Sequence, residues 1–197
     1  MDAIEAIMTR RSTRKFTAEP VREEDLKIII DAGRAAPCGG NNQSCHFIVI
    51  TDEKVLEELS LLAREEFAKW DVTPGMYPSK KTSVVLSKKG TYVFHYHAPV
   101  LIAVANKKGY GNDMADSAIA TENMMIAANE LNLGSCYINQ LYWLTENPKI
   151  REYMEKLGLG KDENILATLA LGHSALEGGL PNRKPRHTTG NPVTWVK

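Results

Sequence analysis

This 197-residue chain is poor in cysteine and histidine, balanced in charge and without a long apolar run. Each lack excludes something. Cys38, Cys45 and Cys136 are odd in number and include no C-x-x-C pair, which argues against a disulfide scaffold or a zinc site and for reduced thiols. His95 and His97 form H-x-H, with His46 elsewhere, but no cysteine or carboxylate stands at ligand spacing, so no metal site is expected. Twenty-four basic residues cancel 24 acidic ones, which removes the extended basic face that nucleic acid requires and leaves small anionic ligands open. No run approaches the ~18 to 20 apolar residues of a membrane span. The opening M-D-A-I-E carries acids where a signal peptide carries cations, so a soluble, cytoplasmic protein is expected.

What is present suffices for one sizeable core, 43% of residues being hydrophobic, and a single domain over residues 1–197 is the expectation. Ile4, Ile7 and Met8 share a face of a short helix over 2–10 that delivers Arg10 and Arg11. Residues 23–35 read as an amphipathic helix with Leu26, Ile29, Ile30 and Ala36 inward, stopped by Pro37 and the Gly39-Gly40 pair. Apolar runs at 47–50, 99–105 and 165–171 read as central strands, and 53–69, 113–132 and 147–157 as helices. With a short strand after residue 132, the order predicts a three-layer α/β arrangement around one sheet.

Two segments break the pattern. Residues 71–97 fit no clean period and hold Tyr77, Tyr92 and Phe94 just beyond Trp70, which makes them a candidate lid. From about residue 173 the chain turns polar and rich in Gly and Pro, then closes on V-T-W-V. Such a tail cannot bury itself, and its apolar end favours wrapping on a second subunit.

Three short segments concentrate recognition chemistry: R-R-S-T-R at 10–14, A-P-C-G-G-N-N-Q at 36–43 and R-K-P-R at 183–186. Arginine forks bind phosphate through paired hydrogen bonds, and Ser12 adds a hydroxyl. Taken alone, the first segment is as readily a solvated basic turn. The glycines of the second permit close backbone approach, and its amides suit a ring edge that alternates N–H and C=O, although an ordinary helix stop has the same composition.

Together with L-N-L-G-S-C-Y-I at 131–138, these segments resemble, in order and over about residues 4–190, the nitroreductase family of FMN-dependent NAD(P)H oxidoreductases. The resemblance implies a central mixed β-sheet flanked by helices and a homodimer with an exchanged C-terminal tail. It implies that Arg10, Arg11, Ser12, Lys184 and Arg186 hold the FMN phosphate and ribityl chain. Arg14 then lies by the ring edge where negative charge gathers on reduction. Pro37, Cys38, Gly39, Asn41 and Gln43 would come from the second subunit, and the backbone of Tyr137, Ile138 and Asn139 would face the ring where hydride arrives.

The chain departs from the family pattern at Cys38, where serine is usual, at Ser44-Cys45, where Pro-Trp is usual, and at Asn139, where glycine is usual. Those positions surround the ring, so flavin potential and substrate choice are open. NADH or NADPH would supply hydride, and a small planar acceptor, a nitroaromatic or quinone, would take it by ping-pong exchange. Trp70, Tyr77, Tyr92, Phe94 and His95 are the candidate substrate pocket, by stacking. A flavin store or sensor without NAD(P)H turnover is the alternative.

Overall fold

A computed structural model of the chain describes residues 2–184 and 190–197. Its centre is a four-stranded sheet of β1 (His46–Ile50), β2 (Val100–Lys107), β3 (Gly134–Ile138) and β4 (Glu163–Gly172), in the order β1-β2-β4-β3. Every neighbouring pair is antiparallel, with Ile50 opposite Leu101, Val100 opposite Leu171 and Ser135 opposite Leu171. The parallel component among the described residues is a single bridge from Ser12 to Ser135, on the outer edge of β3.

Helices cover both faces, which explains why β2 reads as an unbroken apolar run. Leu101, Ala103 and Ala105 enter one core with Phe67, Leu141 and Met154. Val100, Ile102 and Val104 enter the other with Ile29, Met124 and Leu169. Alternate side chains of a strand point to opposite faces, so a strand covered on both sides has no polar half. The first face carries α3 (Glu53–Ala68), α4 (Pro78–Lys88), α6 (Gln140–Trp143) and α7 (Pro148–Lys156); the second carries α2 (Glu23–Arg34) and α5 (Asp113–Glu130). The three-layer expectation is met.

Two expectations need correction. The segment over 71–97 is not irregular throughout, since α4 occupies its middle, with Pro78 in the first turn. Its buried side chains are Ser83, Val84 and Ser87, and a helix that buries serines shows little hydrophobic period. In α1 (Ala3–Thr9), capped by the Asp2 side chain accepting from Glu5 N at 2.8 Å, the inward residue is Ala6. Ile4, Ile7 and Met8 are exposed in the single chain.

After β4 the chain first runs along its own N-terminal segment. Thr17 N donates to His173 O at 3.0 Å and Ala175 N to Lys15 O at 3.0 Å, so the chain after β4 is tied to the segment after Arg14. Its apolar end is unburied, with Trp195 83% exposed. No helix of the described residues is long and apolar enough to cross a membrane.

Candidate active site

The R-R-S-T-R segment lies along the outer edge of β3. Thr13 N donates to Ser135 O at 2.8 Å, and the two chains meet so closely that a Cβ at Gly134 would stand 2.7 Å from Thr13 Cγ2. Glycine at 134 is therefore required by contact. Ser135 turns its backbone away from β4, and strand alternation turns Tyr137 the same way, so the Tyr137 peptide faces out along an edge that the 10–14 segment covers only at its start.

Arg10, Ser12 and Arg14 converge on the same strand. Burial pushes the Cys136 thiol pKa up, while the Arg14 guanidinium, the Ser12 hydroxyl and Arg10 pull it back, in that order. Arg14 is exposed, its guanidinium carbon 6.0 Å from the centroid of Tyr96. Arg10 Nε donates to Glu122 Oε1 of α5 at 3.1 Å. Arg11 is placed differently from its neighbours: Nη1 donates to the carbonyls of Met8 and Arg10 at 3.2 and 2.6 Å, closing the end of α1. Its Nη2 is buried and has no partner among the described residues.

The last basic motif reaches the first through Asn129, which the sequence reading missed. Asn129 Nδ2 donates to Ala6 O at 3.0 Å and to Thr9 Oγ1 at 3.1 Å. Arg183 Nε donates to Asn129 Oδ1 at 3.2 Å, and its Nη2 donates to Asn129 O and, at 2.8 Å, to Asn132 Oδ1. A guanidinium on the last carbonyls of a helix satisfies acceptors that lack partners and opposes the negative end of the helix dipole. Lys184 follows, exposed, with its backbone N–H on Asn182 Oδ1 at 3.0 Å. Arg186 lies outside the described residues.

The glycine-rich loop does not join this group within one chain. Gly39 N donates to both oxygens of Asp116 at 3.2 Å, and Tyr110 Oη donates to Gly39 O at 3.1 Å, holding the loop at the N-terminal end of α5. Asp116 precedes Glu122 by six residues, about 9 Å along the helix. No hydrogen bond or ion pair joins residues 37–43 to 10–14 among the described residues. A cavity of about 340 Å3 beside the loop, between Cys38, Cys45, Phe47 and Asp116, has no lining from the arginine segment.

Inside the loop, Gln43 N donates to Cys38 Sγ at 3.2 Å, and Gln43 Nε2 donates to Asn41 Oδ1 at 3.0 Å. Asn41 and Gln43 both hold left-handed backbone, at φ 55° and 49°, so two uncommon conformations flank Asn42. Cys38 thus closes a strained loop and is half-buried. Pro37 lies exposed at the loop's start. At the other candidate surface, Ile138 is buried, and Asn139 opens α6, its carbonyl accepting from Trp143 N at 2.9 Å.

The aromatic residues divide. Phe94 is 1% exposed and Tyr92 7%, both in the core, so the expectation that they stack a ligand is corrected to support from beneath. Tyr92 Oη is within 2.8 Å of Ser83 Oγ and accepts from Gln140 Nε2 at 2.6 Å; burial pushes its pKa up to about 12. His95 is likewise buried, with Nδ1 unpartnered, and burial followed by the repulsion of His97 lowers its pKa to about 4. Trp70 and Tyr77 sit nearer the surface; Tyr77 meets Trp143, another residue the sequence reading missed, and Phe67 lies against both Trp70 and Trp143. Among the described residues no group of three or more His, Cys, Asp or Glu is placed to hold a metal ion.

The fold is that of an α/β protein, and the outer edge of β3, with the arginine segment against it, is its candidate site. Comparison with known proteins gives the family. Residues 7–173 match the model of the Nitroreductase family, and the chain belongs to that family. A nitroreductase of Bacteroides fragilis, whose crystal structure contains bound FMN, is 32% identical, with a TM-score of 0.89 and all of both chains covered. An NADPH-flavin oxidoreductase of Vibrio harveyi is 26% identical over 94% of this chain and 71% of its own. An FMN reductase (NADPH) of Bacillus subtilis is 26% identical over 98% and 74%.

Proposed function

We propose that this chain is a single-domain, cytoplasmic, FMN-dependent oxidoreductase that takes hydride from NADH or NADPH and passes it to a small planar acceptor, a nitroaromatic or quinone. The observation that carries this reading is the convergence of Arg10, Ser12 and Arg14 on the open edge of β3, with Arg183 and Lys184 brought alongside through Asn129. The residues present fit the cofactor. Arg11 Nη2 is a buried donor without a partner among the described residues, the Tyr137 peptide faces out, and Gly134 lets the phosphate-binding segment approach the strand.

When bound, FMN supplies hydride transfer, so no protein nucleophile is needed. Arg10, Arg11, Ser12, Lys184 and Arg186 hold the phosphate and ribityl end. Arg14, exposed and separate from the α5 ion pair, stands where negative charge gathers on the ring and stabilises it. The backbone of Tyr137 and Asn139 orients the ring edge.

Pro37, Cys38, Gly39, Asn41 and Gln43 complete the site from a second copy. Their loop is held away from Arg10 within one chain, and the unburied faces of α1 and the tail supply apolar surface for a homodimer. The test is an anaerobic titration of FMN-loaded protein with NADH and with NADPH, followed by a quinone or nitroarene. Bleaching of the flavin and its return on adding the acceptor are expected; no bleaching by either nucleotide overturns the NAD(P)H reading and leaves a flavin store.

A further inference from the structure

Trp70 and Trp143 flank one cation, and Tyr77 adjoins Trp143. Lys80 Nζ lies 4.9 Å from the Trp70 ring centroid and 5.8 Å from that of Trp143. Tyr77 meets Trp143 edge-on at 6.2 Å, and the fully buried Phe67 backs both indoles at 5.1 and 6.4 Å. The walls are thus fixed from behind, while Tyr77, 60% exposed, leaves the front open.

The charge around this group is one-sided. Over Pro78–Lys88, α4 carries Lys80, Lys81 and Lys88 and no acid. Lys88 pairs with Asp71, and the nearby Lys69 pairs with Glu66. Lys80 has no carboxylate within ion-pair distance among the described residues, and its ammonium lies over the two indoles. An ammonium over ring faces gains from their quadrupoles but keeps N–H groups unused. Those N–H groups call for an anion, and the ring faces call for a flat ligand.

We propose that Trp70, Tyr77, Trp143 and Lys80 form a recognition site for a planar aromatic acceptor bearing a negative substituent, a carboxylate or sulfonate. This rests on the oxidoreductase reading above and selects within its acceptor class. The position agrees: Trp143 N donates to Asn139 O, so the wall stands one helical turn from the residue assigned to the ring edge. A neutral ring uses the indoles and leaves the ammonium idle. A cationic ring is repelled, and it can stack only by displacing Lys80.

Calorimetric titration of the oxidised FMN-loaded protein, without nucleotide, tests the site apart from turnover. The probes are 4-nitrobenzoate, nitrobenzene and a trimethylammonium-substituted nitrobenzene. Wild type is expected to bind the anion at least tenfold more tightly than the neutral ring. Lys80→Arg should keep that preference, Lys80→Met should remove it, and Lys80→Glu should shift it to the cation. Equal binding of the three probes by wild type, or a preference unchanged in Lys80→Met, overturns the proposal. KM values with either nucleotide separate the two readings. A Lys80-dependent preference without nucleotide oxidation sustains the site and sinks the oxidoreductase, whereas turnover with a charge preference indifferent to Lys80 does the reverse.

Discussion

Arg183 closes the end of α5 by donating to the Asn129 carbonyl and side chain, and the same Asn129 amide donates to Thr9, one residue before the first arginine motif. Two basic segments about 170 residues apart thereby share one buried amide. Asn129→Ala should cost about 1–2 kcal/mol, because it removes the side-chain bonds to Ala6 O, Thr9 Oγ1 and Arg183 Nε while the Ala6 carbonyl, the Thr9 hydroxyl and the Arg183 guanidinium each keep another partner. Urea denaturation checks the stability. FMN retention on dialysis should fall in the same variant, since the two basic segments lose their common anchor.

Arg14 and Arg186 should separate binding from reactivity. Arg14→Ala is expected to retain FMN and slow its reduction by NAD(P)H tenfold or more, about 1.4 kcal/mol of lost stabilisation of charge on the ring. Arg186→Ala should weaken FMN retention instead. Stopped-flow reduction beside fluorescence titration of FMN distinguishes them, and the opposite pattern would reverse the assignment.

His95 sets a pH dependence. Its pKa falls from 6.5 to about 4 in the fold, chiefly through burial and then through His97, so the folded protein holds the neutral form. Because the folded value is the lower one, this contribution is complete above pH 6.5 and is lost as pH falls from 6.5 towards 4, amounting to about 3 kcal/mol. Denaturation curves at pH 7 and pH 4.5 should therefore diverge more for wild type than for His95→Phe. Equal divergence in the two proteins would show that other groups carry the acid sensitivity.

Gly134 is a contact glycine, with its added Cβ 2.7 Å from Thr13 Cγ2 and 2.8 Å from Thr13 Cβ. Gly134→Ala should destabilise the fold by about 1–3 kcal/mol, the usual cost of overpacking, and push the arginine segment off β3. Loss of FMN affinity larger than the loss of stability is the expected signature, measured by fluorescence titration and urea denaturation on the same preparation.

Much of the fold was legible because its signal is local. The strands at 46–50, 100–107 and 163–172 appear as apolar runs, and α2, α3 and α5 as amphipathic or apolar periods. The four-residue α6 is too short for a period, and α4 hides its own by burying Ser83 and Ser87. In the site, Arg10, Ser12 and Arg14 were readable as a cluster with company. Asn129, Lys80 and Trp143 were not, since an asparagine, a lysine and a tryptophan inside helices gain their meaning only from partners distant in sequence.

By itself, the sequence determined where the recognition chemistry lies along the chain, since a guanidinium, a hydroxyl and a glycine carry their chemistry wherever they are placed. Only the tertiary structure decided which arginines are engaged within the chain. The ends of α1 and α5 present carbonyls that helical bonding cannot satisfy, and Arg11 and Arg183 are spent there in part. Arg14 escapes that demand because it lies beyond the helix end, between Thr13 and Lys15 whose backbones pair with Ser135 and Ala175, and its side chain is exposed beside the open edge of β3.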